Sequence, residues 1–508
     1  NAGNNIQSGG DKNTVVGDEA GAAITTGDFN TALGFEAGHD ITTGSANTII
    51  GGLAGDKLID ASYNVAIGSG AIGADTKGSK SIAIGYNSLV TQNFTSATDT
   101  FNVAIGFEAG RAISTGIQNT LLGGLAGDAL TDADFNVAIG YNALTGDTQG
   151  SRSVAIGRGA LAVQNFSSAT DAYNIGIGFG AGVSVTTGKE NVIIGGNAGD
   201  ALTDADFNTL VGSFALSNDT QGSKSTAIGY QALGTQNFSS ATGSFNTAVG
   251  YNAGVAVTTG INNTIIGAVA GDALTDADFN VAVGVGALGA DTKGNKNTAI
   301  GHDALGVQNF TSSTDAQNTA VGYNAGAAVT TGTSNSFFGL SSGYSATTGP
   351  HNTCIGVEAG YANITGQSST YIGRSCGVAA TGDSNTFIGR SSGSQVTSGA
   401  KNTILGRYQG NSGGLDIRTA SNYIVFSDGD GNPRGYFSGA AFHAGGGGIT
   451  VNGVGASNSI HGLAASGAWA LGLQQNTTSA AGGRVLGLRN VTDFNNASNE
   501  VISYNGNT

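Results

Sequence analysis

Between Asn13 and Gly406 one short phrase of polar and apolar positions, Asn-[Thr/Val/Ile]-x-[Ile/Leu/Val]-Gly with few departures, is written twenty-three times. Its glycines fall 17 residues apart, with steps of 21 ahead of Gly106, Gly178, Gly250 and Gly322 and one of 16 ahead of Gly389. The residue before each glycine is aliphatic except for Phe338, and the residue three before it is Thr, Val or Ile except for Ser336. Positions two apart on a strand share a face, so the phrase predicts a short strand whose β-branched stripe points into a core. The column between them is mostly Ala, with Ile49, Leu121 and Ile193 and later Phe337, Tyr371 and Phe387. Both faces of the strand therefore read as buried, one against the rung's own second layer and the other most simply against another copy of the chain.

A fixed short period means one unit stacked many times, which predicts an all-β fold: a parallel β-solenoid, or β-roll, of 17-residue rungs. Each rung has room for about two short strands and two turns. At about 4.8 Å per rung the stack is expected to be a shaft on the order of 110 Å long. The phrase opens with Asn in nineteen rungs and with Ser at Ser81, Ser153, Ser225 and Ser369. Stacked in parallel, these side chains can form a hydrogen-bonded ladder, each also starting an Asx turn. The invariant glycine suits a corner with positive φ or close backbone approach.

Gly34, Gly106, Gly178, Gly250 and Gly322 lie 72 residues apart, so four rung types recur in order. One type carries the turn Gly-Asp-Ala-Leu-Thr-Asp-Ala-Asp-Phe-Asn, identical at 127–136, 199–208 and 271–280, and the next carries Asp-Thr-[Lys/Gln]-Gly. Another holds an expansion with Gln-Asn-Phe, whose Phe94, Phe166, Phe238 and Phe310 are expected to pin the loop to the shaft. A five-bladed propeller with 72-residue blades is the rival architecture. Propeller strands alternate in direction, whereas here every rung carries its core signature in the same sense.

Composition narrows function further. Glycine contributes 88 of 508 residues, but with two prolines and no Gly-X-Y period collagen is excluded. The net charge of −15 and the absence of a basic cluster argue against nucleic acid. No run of eighteen apolar residues predicts a membrane-inserted helix. The chain opens at Asn1 inside repeat-like sequence, so a preceding segment is expected. Cys354 stands in the Ala/Ile/Phe column and reads as a small buried thiol; a bridge to Cys376 is the alternative.

Candidate chemistry is sparse. Asp132/Asp134, Asp204/Asp206 and Asp276/Asp278 resemble paired carboxylates or cation ligands, but their copies should stand about 19 Å apart along the shaft, so polar turns are expected. Asp428-Gly-Asp430-Gly-Asn432 resembles the start of a calcium loop, but Pro433 follows where that motif needs Gly, and a β-turn is expected. Asn93, Asn165, Asn237 and Asn309 begin formal glycosylation sequons. The five histidines, among them His39, His302 and His351, lack metal-ligand spacing. No catalytic, cofactor or metal residues are expected, and an enzyme is not. The non-repeated acids near the C-terminus (Asp416, Asp428, Asp430, Asp493 and Glu500) lack the spacing of a polysaccharide-degrading tailspike.

The period stops after Gly406. Three segments follow from this: a repeat shaft over 1–406, a β transition over 407–438, and a small tip over 439–508, in which a glycine hinge at 444–448 precedes a β-rich stretch over 449–508. The tip's unique surface makes Phe442, His443, His461, Trp469 and Arg489 the receptor-binding candidates, with Phe442 and Trp469 also able to fill the tip's core.

Rungs such as Asn64-Val-Ala-Ile-Gly68 and Ser153-Val-Ala-Ile-Gly157 resemble the head repeats of trimeric autotransporter adhesins, which implies a homotrimeric parallel β-roll. The longer period and the lack of a heptad stalk depart from that family. Together with Leu415-Asp-Ile-Arg418 and Ser427-Asp-Gly-Asp-Gly-Asn-Pro-Arg434, the rungs are more similar to tail fibres of marine bacteriophages. That resemblance implies a structural virion fibre, a homotrimer joined to tail or baseplate proteins, whose tip meets a host surface glycan or protein receptor. Val501–Thr508 is similar to the sequence just before the self-cleaving chaperone of such fibres, implying a processed end at Thr508. A cell-surface trimeric adhesin or filament is the alternative.

Overall fold

A computed structural model of the chain describes residues 2–439 and 441–444. It is an all-β parallel solenoid. The twenty-three Asn-x-x-x-Gly segments each form a three-residue strand, from Thr14–Val16 to Thr403–Leu405. Each strand pairs in parallel with the next, as Thr31–Leu33 does with Thr48–Ile50. Tyr423–Ser427 continues the stack as a twenty-fourth parallel strand, then pairs antiparallel with Pro433–Ser438. Ala441–Ala444, assigned from sequence to the tip, pairs antiparallel with Pro433–Ser438, and the solenoid with these strands forms one compact unit, Asn1–Gly445. Parallel pairing throughout the repeat disposes of the propeller.

Two expectations are corrected. The expected second strand of each rung reduces to two-residue pairings beside the expansions, such as Gly78–Ser79 with Thr98–Asp99. The remainder turns too often to extend, because three further residues per rung adopt left-handed conformations, as Glu36 (φ 53°), Gly38 (φ 57°) and Ala46 (φ 57°) do. The second correction concerns facing. The middle strand residue points into the roll and is fully buried, as at Ala32, Ile49, Leu121 and Phe337. The β-branched stripe points outward, and Leu33 and Leu122 remain 45% and 44% exposed.

In part of the stack the interior is filled by reciprocal sizes, although Ala32 with Gly38 and Leu210 with Leu216 depart from the rule. Where the strand carries Ile49 or Leu121, the residue six later is Gly55 or Gly127, and a Cβ there would meet Leu121 Cδ2 2.9 Å from Gly127. Where the strand carries Ala66 or Ala138, the same place holds buried Ile72 or Leu144. Interiors close-pack, so in these rungs volume lost in one column returns in the other.

The closing glycines are fixed for two reasons at once. Gly140 sits at φ 132°, and a Cβ built on it would lie 2.7 Å from the backbone C and O of Gly157 in the next rung. The rungs approach too closely at this corner for any side chain. Each asparagine serves two neighbours. Asn64 accepts through Oδ1 from the backbone N–H of Ser81 and donates through Nδ2 to the carbonyl of Gly78. The ladder thus runs mainly from side chain to backbone, with direct contacts such as Asn47 Nδ2 to Asn30 Oδ1 at 3.0 Å.

Candidate interaction surfaces

Four positions per rung project outward on the strand side, spaced two apart: the residue before the asparagine, the two β-branched positions, and the residue after the glycine. In one rung they are Phe29, Thr31, Leu33 and Phe35; farther along they are Phe101, Val103, Ile105 and Phe107. Stacking repeats the two central positions along the whole shaft, giving a wall whose centre is almost entirely aliphatic or Thr and whose edges carry aromatic rings in some rungs and small, polar or charged residues in the others. Phe35, Tyr63 and Phe179 are more than half exposed. At several edge positions a cation sits over the ring of a neighbouring rung: Lys12 lies 4.5 Å from the Phe29 centroid and Arg152 lies 4.7 Å from Phe135. Elsewhere the edge rings stack, as Tyr86 on Phe107 at 5.5 Å and Tyr230 on Tyr251 at 5.6 Å. Monomeric proteins rarely leave an apolar patch of such extent open to water.

The acidic turns are structural, as expected from sequence. Asp134 accepts the Ile117 backbone N–H at 2.7 Å, and Asp278 that of Ile261 at 2.8 Å, tying each turn to the rung before. Burial is the largest influence on Asp134 and raises its pKa. Among the described residues no group of three His, Cys, Asp or Glu is placed to hold a metal ion. Asp428 accepts backbone N–H groups of Asp430 and Asn432 and an ion pair from Arg434, closing the turn before Pro433. These hydrogen bonds, the Asn432 N–H first, hold its carboxyl well below the ordinary value. Cys354 and Cys376 are free and buried, and burial pushes the Cys376 thiol up to about 12.

Two turns that look independent in sequence form one buried network. Position seven after the closing glycine faces the interior and reads Ile41, Leu58, Asp75, Gln92, then Ile113, Leu130, Asp147, Gln164. Gln164 Nε2 donates to Asp147 Oδ2 at 2.5 Å and to Ser153 Oγ at 3.0 Å. Asp147 Oδ1 accepts from the backbone N–H of Gly150 and of Phe166, whose ring seals the expansion at 6% exposure. Gln164 Oε1 accepts from Asn174 at 2.9 Å. At Ser81, Ser153 and Ser225, where Ser replaces Asn, the glutamine amide also reaches the serine hydroxyl, whereas the fourth copy keeps Asn297. In the fourth copy burial, the largest influence, raises the Asp291 pKa against the hydrogen bond from Gln308.

Of the receptor-binding candidates, Phe442 and His443 lie on the terminal strand. Phe442 is 44% exposed and packs 4.9 Å from Phe437, while His443 stacks on Tyr436 at 4.5 Å. His461, Trp469 and Arg489, with the expected processed end at Thr508, fall outside the described residues. Sequence reading did not single out the wall's edge columns or the Asp–Gln network; aligning each rung position by position would have revealed both. Comparison with known protein families, curated proteins and solved structures gives no match.

Proposed function

We propose that this chain is the shaft of a homotrimeric fibre that carries a C-terminal segment to a host cell surface, a virion appendage of the kind its sequence resembles. The observation supporting assembly is the apolar wall. It repeats with the 17-residue rung from end to end, so a partner able to cover it must share the same axial repeat. A second and third copy of this chain meet that requirement; a globular partner does not. Covering the half-exposed aliphatic side chains gains on the order of 1 kcal/mol each, summed over the whole stack. A rod of identical rungs suits projection and load, and its regular surface offers no single cleft where acid and base groups converge.

Host attachment is assigned to the residues beyond the terminal hairpin, whose sequence does not repeat. Deleting 445–508 keeps the strand Ala441–Ala444 and should leave an assembled shaft that no longer adheres to host cells. An assembled truncated shaft that adheres as well as the full chain would move recognition to the shaft. Genes for virion structural proteins beside this one would favour the virion role, and a secretion anchor the surface-adhesin role.

A further inference from the structure

The column directly after the closing glycine changes character near the end of the shaft. It holds Tyr323, Leu340 and Val357, then Arg374, Arg390 and Arg407 in three successive rungs. Parallel pairing of Thr370–Ile372, Thr386–Ile388 and Thr403–Leu405 stacks these arginines in single file, about 4.8 Å apart. Residues 361–440 contain six Lys or Arg and four Asp, against a net charge of −15 for the chain.

Like charges stacked on neighbouring strands repel, and such ladders need compensation. Elsewhere Lys57, Lys80, Arg111, Arg152, Lys293, Lys296, Arg418 and Arg434 each pair with a carboxylate, and cations without such a pair, such as Arg158 and Lys224, are not stacked on one another. None of the three ladder arginines has a described carboxylate within ion-pair distance. Two acids on adjoining rungs already have partners: Asp428, above Arg407 in the same column, is clasped by Arg434, and Glu358, one rung below Arg374, accepts from the Ser375 hydroxyl at 3.2 Å. Arg407 Nε is buried without a partner, while its Nη1 reaches the Gly429 carbonyl at 3.4 Å.

We propose that Arg374, Arg390 and Arg407 bind a linear acidic polysaccharide lying along the shaft. A guanidinium presents a planar fork to carboxylate or sulfate oxygens, and a chain bearing one anionic group per unit can meet one arginine per rung. Duplex nucleic acid fits less well, because its two phosphate strands would face a single file of charge on an otherwise acidic rod. This column is the wall's edge after the glycine, so the site rests on that edge staying open when copies of the chain cover the aliphatic centre.

The test measures binding of the purified full chain to a polyuronate and to dextran sulfate, with neutral dextran and duplex DNA alongside, over a range of salt. The wild-type chain should bind both acidic polymers and not neutral dextran. The double variant R374Q/R390Q should weaken binding about tenfold or more, and the log–log salt slope should fall by about one per arginine removed. R418Q, which removes an arginine already paired with Asp416, should leave affinity within about twofold. Wild-type oligomeric state and circular dichroism in each variant establish that folding is intact. If R374Q/R390Q binds as wild type does, or if DNA binds as tightly as the acidic polymers, the assignment is overturned.

Discussion

Replacing Gly140 by Ala probes the corner on which the stacking rests. At φ 132° the backbone occupies a region that side chains rarely enter, which costs about 1–3 kcal/mol. The new methyl would stand 2.7 Å from the backbone C and O of Gly157 and 3.1 Å from Arg158 N, so the rungs must part. Parting them weakens the Gly157 N–H bond to the Ile139 carbonyl, now 2.7 Å, worth about 1 kcal/mol. The expected loss is about 3–4 kcal/mol, placed locally at residues 137–160. Gly159 is the matched control, because it too has positive φ (69°) but a Cβ there meets nothing within 4 Å. Its left-handed cost of about 1 kcal/mol is offset by the lower entropy of the unfolded alanine chain, leaving a change of about 0–1 kcal/mol. Native-state hydrogen exchange read by mass spectrometry, at fixed protein concentration because assembly shifts apparent stability, gives both opening free energies. A Gly140→Ala loss within about 1 kcal/mol of the Gly159→Ala loss would refute the argument from close rung approach.

Gln164→Glu sets a second carboxylate against buried Asp147 and should cost about 2 kcal/mol or more at neutral pH, easing on acidification as one of the pair protonates; chemical denaturation at pH 7 and pH 5 measures it. Ala138→Leu sets beside Leu144 the same pair that Leu210 and Leu216 form, both fully buried, one 72-residue period later, so it should change stability by less than about 1.5 kcal/mol in chemical denaturation; a loss above about 3 kcal/mol would contradict the equivalence of the four-rung copies. For Asp428 the folded carboxyl titrates below its ordinary value, so its contribution is complete above about pH 4 and is lost as pH falls from there through the lowered folded value. Exchange at the Asn432 amide, which donates to Asp428, should therefore accelerate over that acidic range beyond its intrinsic pH dependence, and Asp428→Asn should abolish the pH-linked part.

Much of the fold is written openly in the chain because the same physical demands recur in every rung. Gly140 and its equivalents mark the close approach, Asn64 and its equivalents the axial ladder, and the equal sense of all strands the parallel pairing. The facing of the strand was not legible. Val65 and Ile67 look more like core than Ala66 does, yet Ala66 is the residue turned inward and its volume is made up by Ile72. An apolar stripe on each face does not say which is interior and which awaits a partner. The Asp–Gln network was hidden for another reason: Asp147 and Gln164 both sit in stretches that read as solvated turns. Only the rung register brings their side chains to adjacent levels of the interior. Phe166, by contrast, was recognisable as the plug of its expansion because a lone aromatic in a polar loop needs a surface to cover.

In the proposed assembly other copies of the same chain seal the outward stripe. Cryo-electron microscopy of the purified protein, with classification of views down the shaft, would then show three rolls around one axis, with Val65, Ile67, Val103 and Ile105 turned toward neighbouring chains. Single rolls with that stripe facing solvent, or copies joined through the acidic turns at Asp134 and Asp206, would contradict it.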